Sequence, residues 1–170
     1  MATLHTYSRI RFRKQAYIRL TGYTAHGILH MMWTVLIGDE FEPEFLALPR
    51  QVQNETFALT RLLQQLGPQL GRPRADTLKG SKHPNMKELR FDAADGVWRV
   101  AFAFDTKRKA VLLVAGDKSG GSETRFYREL IRKADERFDA HLARVKVKED
   151  EQKRAARIAP KKVSTEKGRK

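Results

Sequence analysis

Two arginines, Arg90 in "KELRF" and Arg99 in "VWRVAFAF", are the side chains of this sequence that point most directly to chemistry. A guanidinium fork matches the oxygens of a phosphate, and two of them on one surface suit an anionic or phosphate-bearing ligand. Lys118 stands nearby in sequence, in "GDKSGG", a turn whose glycines raise the question of a phosphate cradle. The known cradles do not fit. A P-loop needs lysine after its second glycine, and Gly116, Gly120 and Gly121 have the wrong intervals for a dinucleotide fingerprint. What remains is a strand-to-helix corner. Lys79, Lys82, His83 and Lys87 lie in the loop that enters the first of these strands, where a charge run is more often solvated than functional.

These residues have to be positioned by a sheet. "KELRF", "VWRVAFAF" and "AVLLVA" are joined by short polar links, "DAADG" and "DTKRK", which predicts antiparallel hairpins. In the second strand Trp98, Val100, Phe102 and Phe104 share the core face, leaving Val97, Arg99, Ala101 and Ala103 on the other. A register that sets Phe91 against Trp98 and Leu89 against Val100 satisfies both strands, and it sets Arg90 directly across from Arg99. Like charges in that position repel, so the pair costs stability unless an anion sits between or above them. Ala101 and Ala103 extend the same face as an open, shallow floor. The plainer alternative is that Glu88 or Asp117 pairs with the arginines and nothing binds.

Around this sheet, "MWTVLI" reads as a strand, and Glu42 to Leu66 as two helices separated at Pro49 and ended by Gly67-Pro68. Gly71 to Asn85 reads as a loop. Ser122 is placed as the N-cap of a closing helix whose apolar stripe runs Phe126, Tyr127, Leu130, Ile131, Ala134, Phe138 and Leu142. On that stripe a core role is the simplest one for Tyr127. The expected class is α+β: a small antiparallel sheet with a mixed edge, two N-terminal helices and a C-terminal helix packed on it.

The formal charge of +14 and pI near 10.3 point toward phosphate-rich partners, but most of the excess lies at the ends. Residues 1–32 carry five Lys/Arg and no acid, and residues 146–170 carry ten against four, so 33–145 is left with only +3. We therefore expect a domain over 32–145, an N-terminal extension over 1–31 that reads as an upstream mis-start, and a basic, disordered tail over 146–170 in which the closing helix frays. The charge-free run Leu20 to Gly38 is long enough to span a bilayer but too rich in Thr, Gly and His, so no membrane anchor is expected. Cysteine is absent, which excludes disulfides and thiolate sites, and the five histidines lack metal-ligand spacing. Neither a metal nor a cofactor is expected.

With "LKGSKHPNMKELRF", "WRVAFAFD" and "LLVAGDKSG" followed by "RFY" and "LI..AD", the order of elements over Met32 to Val145 resembles the RelE/HigB toxins of bacterial type II toxin–antitoxin modules. The resemblance implies a cytoplasmic endoribonuclease that cuts messenger RNA on the ribosome without a metal, the ribose 2′-hydroxyl attacking the adjacent phosphate. Carried over by position, Arg99 holds the phosphate, Arg90 assists and Lys118 supplies charge or a proton. Lys87, its pKa lowered by neighbouring arginines, and His83, whose imidazole can both take and give a proton, become candidates for acid or base. Lys79, Lys82, Arg125 and Tyr127 become substrate contacts. A cognate antitoxin with a helix-turn-helix is the implied partner. The same fold serves the ParE toxins, which inhibit DNA gyrase and cleave nothing, so fold alone does not settle activity. From outside the family, a non-enzymatic basic RNA-binding protein would place its phosphate affinity in the tails.

Overall fold

The computed structural model describes residues 32–158. The expected extension over 1–31 and the end of the tail, 159–170, lie outside them. Five strands form one sheet in the order β1-β5-β4-β3-β2. The chain runs β1 (Thr34–Ile37), α1 (Glu42–Ala47), α2 (Arg50–Leu66), a 3-10 turn (Gly67–Gln69), β2 (Ala75–Thr77), β3 (Met86–Ala93), β4 (Gly96–Phe104), β5 (Lys109–Asp117) and α3 (Glu123–Ile158). β1 is parallel to β5, and every other pairing is antiparallel. The α+β class with a mixed edge is therefore observed.

Local chemistry accounts for the boundaries. Pro49 ends one helical stretch and precedes α2, and Gly67 closes α2 at φ +54 with its N–H donating to Leu63 O. A side chain there would collide with the Trp33 indole, so glycine serves both the backbone angle and the close approach. Ala94 and Asp95, at φ 51 and 58, make a two-residue turn between β3 and β4 whose twist suits a hairpin. After β4 the carboxylate of Asp105 accepts the N–H groups of Lys107 and Lys109 at 2.8 and 3.0 Å and the His141 ring at 3.0 Å, which ties that turn to α3.

The sheet is covered on both faces. Phe41, Phe45, Val52, Leu59 and Leu63 of the α1–α2 side pack on Val35, Leu89, Val100, Phe102 and Leu112. Leu130, Ala134 and Phe138 of α3 pack on Ala101, Ala103, Val111, Leu113 and Val114. A bulge between Ala101 and Phe102 shifts the β4–β5 register.

Three expectations need correction. Ala101 and Ala103 are 0% exposed: the small residues make room for α3, not for a ligand, and no shallow floor exists there. The segment Gly71 to Asn85 contains a strand, β2, whose three residues are too few to show a period and sit among turn formers. The closing helix does not fray at Val145 but continues to Ile158. Among the described residues no helix is long and apolar enough to cross a membrane.

Candidate functional site

The β3–β4 register is the one that the apolar pattern required: Leu89 pairs with Val100, Arg90 with Arg99 and Phe91 with Trp98. The arginine pair thus lies on the α3 face, at the end of the sheet where α3 begins. β5 contributes Gly116 opposite Arg99, and a side chain at Gly116 would come within 2.8 Å of the Phe126 ring. That glycine lets the first turn of α3 cross the sheet beside the arginines.

Glu88, one of the two anticipated counter-ions, is 4% exposed and lies between the cations. Its Oε1 is 3.7 Å from Arg90 Nε and 3.8 Å from Arg99 Nε, and it accepts the Tyr127 hydroxyl at 3.3 Å. Burial pushes the Glu88 carboxyl up from the ordinary glutamate value, and the two arginines only partly oppose the shift. Arg99 is itself only 6% exposed and donates through Nη1 to Trp98 O at 2.8 Å. Glu88 Oε2 and Arg99 Nε have no hydrogen-bond partner, so the cluster is packed but not saturated. The other anticipated counter-ion, Asp117, serves the turn instead, accepting the Val97 and Ser119 N–H groups, both at 2.9 Å.

Lys118 reaches this cluster. Its ammonium lies 2.7 Å from Glu123 and 5.5 Å from the centre of the Tyr127 ring. Glu123 is held below the ordinary glutamate value, first by its bond to Lys118, with Arg99 and Arg90 adding to the field. On the far side Asp76 of β2 gathers Arg72 at 2.6 Å and Arg90 at 3.3 Å. Of the anticipated residues, then, Arg90, Arg99, Lys118 and Tyr127 converge. Tyr127 is half-buried: its ring packs beside the α3 core, as expected, and its hydroxyl donates to Glu88. Arg125 is exposed in the first turn of α3.

The remaining candidates lie elsewhere. Lys87 pairs with Phe102, so its side chain is on the opposite face from Arg90, where it donates to Pro68 O at 2.9 Å and Leu70 O at 2.6 Å. Its pKa is lowered, as anticipated, but by burial and not by arginines. His83 bonds Asp139 at 3.0 Å and stands edge-on to Phe138. Lys82 also pairs with Asp139, and Ser81 donates to Asp135 at 2.5 Å. This loop leads into Met86, which pairs with Ala103, four residues along β4 from Arg99 and so about 13 Å away. It is fastened to the middle of α3, with Lys79 exposed in it. Among the described residues no group of His, Cys, Asp or Glu could hold a metal ion.

Sequence reasoning treated Glu88 only as a counter-ion, read Glu123 only as a helix-initiating acid beside Ser122, and did not single out Asp76. The signal for Glu88 was present: a carboxylate two residues from Arg90 on a strand shares its face.

Comparison with known proteins fits this framework. The pattern of the family described as "Phage derived protein Gp49-like (DUF891)" matches residues 43–139, from α1 to the middle of α3. The chain belongs to the Gp49-like family. The match takes in β2 to β5 and the start of α3, so the arginine cluster lies wholly inside the Gp49-like region. Two curated proteins of Mycobacterium tuberculosis are similar to it. One, named "Putative toxin HigB2", is 45% identical over 97 residues, 56% of this chain and 48% of that protein. The other, "Putative toxin HigB3", is 40% identical over 109 residues, 64% of this chain and 93% of that protein. The chain thus spans about half the length of the first relative and nearly all of the second.

Proposed function

We propose that this chain is the toxin of a type II toxin–antitoxin module and that it cuts messenger RNA on the translating ribosome, in the cytoplasm, without a metal or cofactor. The observation that carries this reading is the Arg90–Arg99 pair seated over a buried carboxyl, with Lys118 and Tyr127 at its edge. The toxin names of both relatives support the module, and a cognate antitoxin of the helix-turn-helix kind follows as the partner.

Cleavage by this route needs three things: a base for the 2′-hydroxyl, cations for the charge that gathers on the phosphate, and an acid for the departing oxygen. Arg99 and Arg90 hold the phosphate oxygens. The 2′-oxygen attacks phosphorus, the bond from phosphorus to the 5′-oxygen breaks, and a 2′,3′-cyclic phosphate and a 5′-hydroxyl result. The proton from the 2′-hydroxyl passes through the Tyr127 hydroxyl to Glu88, whose raised pKa brings it nearer the operating pH than an ordinary glutamate. Lys118 gives a proton to the 5′-oxygen. His83 and Lys87 take no part.

A second reading has an observation of its own. Arg90, Arg99 and Lys118 are all paired with acids, and His83 lies elsewhere, as befits a ParE-like cationic platform that grips gyrase and cleaves nothing. Translating ribosomes programmed with a defined message separate the two. The first reading expects cut messages with the full-length protein and intact ones with Arg99→Ala. Intact messages with both, together with inhibited DNA supercoiling, would favour the second.

A further inference from the structure

The arginine pair is part of a longer row. β2 continues the sheet beyond β3, with Ala75 opposite Leu89 and Asp76 opposite Glu88, and the Arg90 N–H donates to Arg74 O at 2.9 Å. That bond places Arg74, the turn residue just before β2, next to Arg90, so that Arg74, Arg90 and Arg99 follow one another across the sheet from its β2 edge. At the usual strand spacing the row is about 10 Å long. A concave surface of about 390 Å³ runs along it, lined by all three arginines and by Arg72. Asp92, the acid on that lining, is exposed.

Charge along the row is unevenly balanced. Glu88 faces Arg90 and Arg99, and Asp76 takes Arg72 and Arg90. Arg74 is exposed and its guanidinium meets no acid among the described residues. At the inner end, Arg99 Nε is buried without a hydrogen-bond partner. A row of this kind, open at one end and unsaturated at the other, fits a chain of phosphates better than a single one, because arginine is suited to bidentate phosphate contact and several in line can track a backbone.

We propose that Arg74 forms a second phosphate subsite at the sheet edge, which takes the phosphodiester adjacent to the one held by Arg90 and Arg99 in a single-stranded RNA. The proposal rests on the RNA-cleaving reading above. Arg74 then aligns the strand, and Arg99 acts at the bond that breaks.

The test is fluorescence anisotropy of a short, labelled 2′-O-methyl RNA, which binds but cannot be cut, titrated with the full-length protein over a series of salt concentrations. Arg74→Gln is expected to weaken binding and to flatten the dependence of log affinity on log salt by about 0.7, the slope of one phosphate contact on a single strand. Arg74→Lys, which keeps the charge, restores the slope. An RNA with an uncharged methylphosphonate at the adjacent linkage binds wild type as weakly as the normal RNA binds Arg74→Gln, and the two changes together add nothing. If Arg99→Gln weakens binding while Arg74→Gln behaves like the remote surface variant Arg61→Gln, the subsite is wrong and the RNA reading stands. If neither Arg99→Gln nor Arg74→Gln changes binding, the RNA reading fails and the subsite with it.

Discussion

Replacing Arg99 with alanine removes a cation that is 6% exposed and 3.8 Å from the Glu88 carboxyl. At an effective dielectric of about 20, two unit charges at that distance attract by about 4 kcal/mol. Arg90, at 3.7 Å, keeps its share of the carboxylate. The loss leaves Glu88 less able to ionise, so its pKa moves further up, and breaking a buried pair costs stability, typically about 3–5 kcal/mol. The variant should therefore unfold at lower urea yet remain folded at 25 °C, since a domain of this size has about 5–15 kcal/mol to lose from. For catalysis, removing one donor aimed at developing negative charge costs about 100- to 1000-fold in rate. The assay pairs urea unfolding with initial cleavage rates on ribosome-bound message, for wild type, Arg99→Ala and Arg99→Lys. Lysine keeps the charge but not the fork, so Arg99→Lys should fall between the other two. An Arg99→Ala protein that is folded and cleaves within about threefold of wild type would refute the placement of the phosphate on this face.

Further expectations follow from the same contacts. The pH–rate profile should show an acidic limb with its midpoint above the ordinary glutamate value, because Glu88 must be ionised to accept a proton; Glu88→Gln should lower the rate and abolish that limb. Asp105→Ala should cost about 3 kcal/mol at neutral pH, since the buried carboxylate accepts two backbone N–H groups and the His141 ring. The Asp105 pKa is lowered on folding, so its contribution is full above the ordinary aspartate value of about 3.9 and is lost as the pH falls through the lower folded value. Urea melts of wild type and Asp105→Ala should therefore converge only below that range. Gly116→Val should lower the melting temperature and the cleavage rate together, because a side chain there meets the Phe126 ring and displaces the start of α3. Lys87→Met should lose about 1–2 kcal/mol by stranding the Pro68 and Leu70 carbonyls, while its folded fraction still cleaves.

How much of this was legible in the sequence depends on the reach of each interaction. The Arg90–Arg99 pairing was, because alternation of large apolar residues in two strands joined by a short polar link leaves one register that buries both core faces. The core face itself, two helices before the hairpins and the apolar stripe of α3 could be read for the same reason: local periodicity carries them. β2 could not, being three residues long and held by pairing with β3 rather than by its own pattern, and Arg74 beside it was therefore not singled out. Ala101 and Ala103 misled because small residues mark either an open floor or a place where a helix comes close, and only the packing of α3 decides which. His83 and Lys82 were misplaced by acids that lie far along the chain. Asp135 and Asp139, one turn apart on α3, fasten their loop away from the arginines, a contact between residues more than fifty positions apart. Lys87 was assigned to the site by its nearness in sequence to Arg90, although their odd separation puts them on opposite faces.

The most direct measurement of the central claim is a map of new 5′ ends in cellular messages within minutes of inducing the full-length protein, beside the same protein carrying Arg99→Ala. The account predicts new ends inside coding regions, each with a 5′-hydroxyl, that vanish with Arg99→Ala. Growth arrest with intact messages would contradict it.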